Sequence, residues 1–125
     1  MLVIGGYGTF GARLSMALAR LPTVELLVAG RDFSAARAFT ERFAGTPVQL
    51  DRRDSRLEQV IGELVPHIVI DAAGPFQDYG TDPYRVARAT LAAGAHYLDL
   101  SDDAGFTNGI SALDAAAKAD RKSVV

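Results

Sequence analysis

Apolar residues along this chain follow two alternating rhythms: short continuous runs, and longer stretches in which they recur every three or four positions. The run Leu2–Ile4 ends in glycine and predicts a buried strand of a parallel sheet. After it, Phe10, Leu14, Ala17, Leu18 and Leu21 fall on one face of a predicted helix with Arg13 and Arg20 opposite, and Pro22 stops it. Residues 24–29 predict a second strand, closed by Gly30-Arg31-Asp32. Ala36, Phe39 and Phe43 then predict a second helix ended by Gly45, and residues 48–50 a short third strand. Ser55-Arg56-Leu57-Glu58 has the pattern of a capping box, and Leu57, Val60, Ile61 and Leu64 form the buried stripe of the helix it would open. Residues 67–70 predict a fourth strand, with a loop over 72–76 beyond it. Asp82-Pro83 opens a fourth helix carrying Val86, Ala89, Thr90 and Leu91, and Gly94 supplies its left-handed stop. Residues 96–100 predict a fifth strand, alanine-rich 112–119 a fifth helix, and Lys122-Ser123-Val124-Val125 the start of another strand.

Strict alternation of strand and helix predicts an α/β fold of the Rossmann type. It is a doubly wound parallel sheet in three layers, α/β/α, with strand order 3-2-1-4-5 and room for a sixth strand. A chain of 125 residues fits one such domain. A net charge of -2 gives no basic face for nucleic acid or anionic lipid. No apolar run approaches the ~20 residues of a membrane span. The absence of cysteine excludes disulfide frameworks and thiolate chemistry and is compatible with a reducing cytoplasm.

The candidate chemistry begins at Gly6-Tyr7-Gly8-Thr9-Phe10-Gly11. A G-x-G-x-x-G pattern is weak evidence alone, but here it leaves an apolar strand and opens an amphipathic helix, the context of a pyrophosphate-binding turn. Gly6 permits the turn, Gly8 lets backbone approach the pyrophosphate, and Gly11 lets the helix pack close to the sheet. The helix start then offers free N–H groups to the phosphates. The plain alternative is a tight strand-to-helix turn with no ligand.

The end of the second strand bears on which dinucleotide is held. NAD sites usually carry Asp or Glu about 20 residues past the glycines, whereas this chain reads Ala29-Gly30-Arg31-Asp32. The guanidinium of Arg31 suits the 2′-phosphate of NADP. Asp32 as a displaced ribose acid would favour NAD, and Arg31 as a solvated loop residue would favour neither. Two further loops lie at strand carboxyl ends, where open α/β sheets bind ligands. At Gly74-Pro75-Phe76, glycine admits a close approach of backbone to the cofactor. Asp99-Leu100-Ser101-Asp102-Asp103 brings carboxylates toward the nicotinamide end, with Asp99 and Asp102 as the candidate catalytic groups; a helix N-cap cluster is the competing reading. Asp51 could meet adenine but reads better as a turn residue. His67 and His96 begin strands, away from that edge, and lack the spacing of a metal pair, so no metal is expected. Tyr84 is followed four positions on by Arg88, and Tyr79 by Pro83, so the Tyr-x-x-x-Lys pair of short-chain dehydrogenases is missing.

With Gly5-Gly6-Tyr7-Gly8-Thr9-Phe10-Gly11, Ala29-Gly30-Arg31, Asp71-Ala72-Ala73-Gly74-Pro75-Phe76 and His96-Tyr97-Leu98-Asp99-Leu100-Ser101 in this order, the chain resembles the NADP-binding domain of the saccharopine dehydrogenase family over nearly its whole length. The resemblance implies cofactor contacts at Gly6, Gly8, Thr9, Phe10, Gly11, Arg31, Gly74 and Pro75. It implies an oxidoreductase acting at a carbon–nitrogen centre of a small amino-acid-derived substrate, as in forming or cleaving saccharopine. It also implies that the substrate and dimerisation domain lies outside these residues, the chain being a piece of a longer enzyme. A surface left bare by that separation can pair two copies as a homodimer. A nucleotide-sensing or scaffold module with no chemistry of its own stays open as the alternative, because fold alone does not fix function.

Overall fold

The computed structural model describes residues 1–119, and at position 77 the backbone alone. The strand start expected at 122–125 lies outside the described residues. Five parallel strands form one sheet in the order β3-β2-β1-β4-β5: β1 (Leu2–Ile4), β2 (Leu27–Gly30), β3 (Thr46–Gln49), β4 (Ile68–Asp71) and β5 (His96–Asp99). The expected strand order is present. Four strands differ in extent from the sequence reading: β2 starts three residues later and ends one later, at Gly30; β3 starts two residues earlier and ends one earlier, at Gln49; β4 is shifted one residue on, to end at Asp71; and β5 ends one residue sooner, at Asp99. β3 is an edge strand, which is why Pro47, with no N–H to donate, is tolerated within it.

Side-chain alternation along the strands divides the core into two faces. Leu2, Ile4, Val69 and Tyr97 meet α3 (Leu57–Leu64) and α4 (Arg85–Ala92) on one side. Val3, Val28 and Ile70 meet α1 (Thr9–Ala19) and α2 (Phe33–Phe43) on the other. The result is the three-layer arrangement. The stripe Leu57, Val60, Ile61 and Leu64 packs against the first of these clusters, as its spacing predicts.

Four local expectations need correction, one being that α4 begins at Arg85, after Tyr84 with no side-chain cap, and not at Asp82-Pro83. The buried face of α1 is Gly11 and Ser15, flanked by half-buried Leu14 and Leu18, whereas Phe10 is 71% exposed and Ala17 and Leu21 are also exposed. The helix approaches the sheet too closely for large side chains in its first turns. The capping box does not form: Arg56 precedes α3 with no side-chain cap, and the Asp54 carboxylate instead accepts the Arg56 N–H at 2.8 Å. Beyond β5 the chain forms α5 (Ala104–Gly109), which propensity did not predict, then a 3-10 turn at Ile110–Leu113 and α6 (Asp114–Ala119). The stop of α4 is as expected. Gly94 has φ +75, its N–H bonds Leu91 O at 3.0 Å, and Ala95 N–H bonds Thr90 O at 3.1 Å, a Schellman closure.

Candidate functional site

The glycine turn is built by close packing of backbone on backbone. Gly5 has φ +74, and a Cβ there would stand 2.7 Å from Ala73 Cα. A Cβ on Gly11 would stand 2.0 Å from Gly5 O, so the first turn of α1 can lie on β1 only because both positions are bare. Both Gly5 N–H and Gly6 N–H bond Ala29 O, at 2.7 and 3.2 Å, tying the turn to β2. Gly8 is the N-cap of α1 and brings no side chain to the unpaired N–H groups of that first turn, which holds no acidic residue. An uncapped helix start with positive potential suits an anionic ligand.

A second glycine opens space for the β2–α2 turn. A Cβ on Gly30 would lie 2.3 Å from the Tyr7 ring. Tyr7 thus folds across Gly30, and its hydroxyl accepts Asp32 N–H at 3.0 Å. The Asp32 carboxylate accepts Ala35 N–H at 3.1 Å as the N-cap of α2. Of the two charged residues in this turn, Arg31 is the one that lines the larger part of a cleft at the glycine turn, as Asp51, Arg52, Arg53 and Asp78 do from other turns. The exposed Arg31 guanidinium makes no ion pair among the described residues.

These elements border a cleft along the carboxyl edge of the sheet. One part, of about 360 Å³, lies between the glycine turn, Arg31, the Leu50–Arg53 turn and Gly74-Pro75. The other, of about 310 Å³, is walled by Gly8, Thr9, Phe10, Gly74, Pro75, Leu100 and Asp102. Gly8, Ala73, Gly74 and Pro75 belong to both, so the two parts are one groove passing over the helix start. Of the sequence-predicted residues, Gly8, Thr9, Phe10, Arg31, Gly74 and Pro75 line this groove, whereas Gly6 and Gly11 lie beneath it as packing positions. Phe10 and Leu100, 71% and 44% exposed, give the second part an apolar rim.

The two candidate catalytic carboxylates separate. Asp102 is exposed and lines the second part of the groove. Asp99 is half-buried behind it and accepts Ser101 N–H at 3.0 Å. Burial raises its carboxyl above the usual range, with the Ser101 N–H and the neighbouring Tyr97 hydroxyl pulling it back. That hydroxyl is itself buried and makes no hydrogen bond of normal geometry among the described residues. Asp103 is the N-cap of α5, accepting Phe106 N–H at 2.7 Å, so part of this acidic cluster has the capping role. Asp51 accepts Arg53 N–H at 2.9 Å as a turn residue on the groove wall. Among the described residues no three His, Asp or Glu side chains gather to hold a metal ion, and no helix is long and apolar enough to cross a membrane.

Asp71, quoted above within a motif but given no role, is the residue that sequence reasoning missed. It is wholly buried at the end of β4 and accepts the Tyr79 hydroxyl at 2.9 Å and Ala73 N–H at 3.1 Å. Burial pushes its carboxyl up to about 6; those two donors and Arg52 oppose the rise, and Asp99 adds to it. An acid closing the apolar run Ile68-Val69-Ile70 was the available signal; its partner eight residues on was not.

The chain resembles known proteins in family and in fold. The model of the saccharopine dehydrogenase NADP-binding domain matches residues 1–125. Among solved structures, saccharopine dehydrogenase (L-Glu forming) from Saccharomyces cerevisiae has a TM-score of 0.67 at 18% identity, over 87% of this chain and 23% of that one. Triphenylmethane reductase from Citrobacter sp., complexed with NADP(H), has a TM-score of 0.65 at 15% identity, over 96% and 45%. The NADPH-dependent quinone oxidoreductase QOR2 of Escherichia coli, complexed with NADPH, has 0.64 at 17%, over 94% and 45%. At these identities the likeness is one of fold, and the chain spans less than half the length of each. A search of curated protein sequences returned no match. The full-length family match, on a doubly wound sheet whose glycine turn opens an uncapped helix, shows that this chain belongs to the saccharopine dehydrogenase NADP-binding domain family, with NADP as its cofactor.

Proposed function

We propose that this chain is the cofactor half of a saccharopine dehydrogenase-like oxidoreductase, holding NADP for redox chemistry at a carbon–nitrogen centre of an amino-acid-derived substrate. The observation that carries the reading is the single groove running from Arg31, over the uncapped start of α1, to Phe10 and Asp102. The pyrophosphate lies over Gly6, Gly8 and the N–H groups of Thr9, Phe10 and Gly11. Arg31 takes the 2′-phosphate. Gly74 and Pro75 border the groove where adenosine and nicotinamide halves meet, and Phe10, Leu100 and Asp102 surround the nicotinamide end. Bound NADP supplies the hydride chemistry, and the chain positions it and excludes water.

Asp102 faces the reacting end, and Asp99 supports the Leu100–Ser101 backbone from behind. The substrate-binding and dimerisation parts belong to a longer cytoplasmic enzyme, and the 125 residues alone bind cofactor without turning over substrate. Arg31→Ala tests the assignment. Each charge-assisted hydrogen bond lost is worth roughly 1.5–3 kcal/mol, so NADPH should weaken about 10- to 150-fold with NADH little changed. Equal loss for both cofactors would remove the 2′-phosphate from Arg31.

A further inference from the structure

Residues 72–79 border both parts of the groove, through Ala73, Gly74 and Pro75, as the glycine turn does through Gly8. The first residue of this wall still bonds β1, Ala72 N–H to Ile4 O at 2.8 Å, and beyond that the segment has no strand partner. The side chain bonded to both of its ends is the buried Asp71 carboxylate. One donor to it, Ala73 N–H at 3.1 Å, comes from the start of the segment. The other, the Tyr79 hydroxyl at 2.9 and 3.0 Å from its two oxygens, comes from the far end. Neither Asp71 nor Tyr79 lines the groove parts that hold the glycine turn.

The far end is clamped in turn. The Tyr79 ring packs on Phe76 at 4.9 Å and on Phe106 of α5 at 5.8 Å. The Arg52 guanidinium lies 3.7 Å over the same ring and donates to Asp78 O at 3.2 Å. At the near end Ala73 abuts Gly5, so the position of the wall is felt directly by the glycine turn. The titratable and charged groups around Asp71 are Tyr79, Arg52 from the β3–α3 connection, and Tyr97 and Asp99 from β5.

We propose that the Asp71–Tyr79 pair is a clasp that holds residues 72–79 in place as the groove wall, which makes both of them positioning residues for the dinucleotide. The proposal rests on the cofactor reading given above. A carboxylate suits this duty because it accepts bonds from two directions at once, and charge-assisted bonds are the stronger kind. A wall ordered before the ligand arrives spares the binding step the entropy of ordering it.

Tyr79→Phe tests it in the 125-residue chain, since the ring and its packing stay and only the hydroxyl goes. NADPH and NADH should weaken by the same factor, about tenfold for one bond to a charged acceptor. Amide exchange at Ala73, Asp78 and Tyr79, hydrogen-bonded amides of this segment, should quicken while far-UV circular dichroism stays unchanged. Asp71→Asn keeps an acceptor for Ala73 N–H and a partner for Tyr79, so it should stay within about threefold of the parent, having lost only charge assistance. Asp71→Ala should fall at least as far as Tyr79→Phe. The proposal is overturned if Tyr79→Phe binds both nucleotides as the parent does. It is equally overturned if the three variants lower the thermal midpoint while the folded fraction keeps parental affinity. Failure of the cofactor reading would show differently, as a parent chain that binds neither nucleotide.

Discussion

The two walls of the groove are built on opposite principles. The glycine turn works by leaving atoms out: Gly5 and Gly11 let backbone lie on backbone, and Gly8 leaves the start of α1 without a side-chain cap. The facing wall, residues 72–79, works by putting a costly group in, a buried carboxylate tied to both of its ends. A wall made of absence tolerates almost no added atom. A wall made of hydrogen bonds tolerates isosteric change and responds to pH instead.

Single added side chains should break the first wall hardest, and in two distinguishable ways. Gly8→Val should abolish binding of both NADPH and NADH if the pyrophosphate sits as proposed, because its branches would stand in the groove where its two parts join. The fold should persist, since Gly8 is exposed and a Cβ there meets no more than Gly5 O at 3.3 Å. Gly11→Ala should do the reverse in order of cause. Its Cβ would stand 2.0 Å from Gly5 O, so α1 must move, at a cost on the order of 3 kcal/mol read as a lowered thermal midpoint, with binding lost as a consequence. If Gly11→Ala kept the parental midpoint while Gly8→Val unfolded, the division between packing and ligand-facing glycines would be inverted.

The second wall should show a smaller and pH-dependent effect. Asp71 titrates at about 6 in the folded chain against an ordinary 3.8, because burial penalises its charge. The folded state therefore binds the proton more tightly than the unfolded state. The stabilisation this gives is complete below pH 3.8 and is lost as pH rises through about 6. Its upper bound is about 3 kcal/mol. Asp71→Asn removes the titration, so its stability relative to the parent should increase between pH 4 and about 6.5 and then level off. Parallel stability curves for the two chains across that range would mean that Asp71 is not strained by burial.

The same contrast explains how much could be read in the sequence. Strand order and helix order were legible because apolar runs and glycine stops are local. The tight glycine turn was legible because each glycine sits at a spacing set by one piece of geometry. The face of α1 was misread because Phe10 is large and apolar yet belongs to the groove, while the residues that touch the sheet, Gly11 and Ser15, are small enough to look neutral. α5 was missed because Gly105, Asn108 and Gly109 are poor helix formers. Tertiary contact overrides that: Phe106 packs on Phe76 at 4.8 Å, and the Tyr84 hydroxyl donates to Phe106 O at 2.7 Å. The capping box failed because the Asp54 carboxylate took the turn first. Asp71 and Tyr79 stand eight residues apart across a loop, and no periodicity of strand or helix pairs such positions.

The central claim is that this groove holds NADP, chosen over NAD by Arg31. Calorimetric titration of the 125-residue chain with NADPH and with NADH tests it most directly. NADPH should bind at least about tenfold more tightly, the margin of one charge-assisted bond to the 2′-phosphate. Equal affinity for the two, or no binding of either at millimolar concentration, would contradict it.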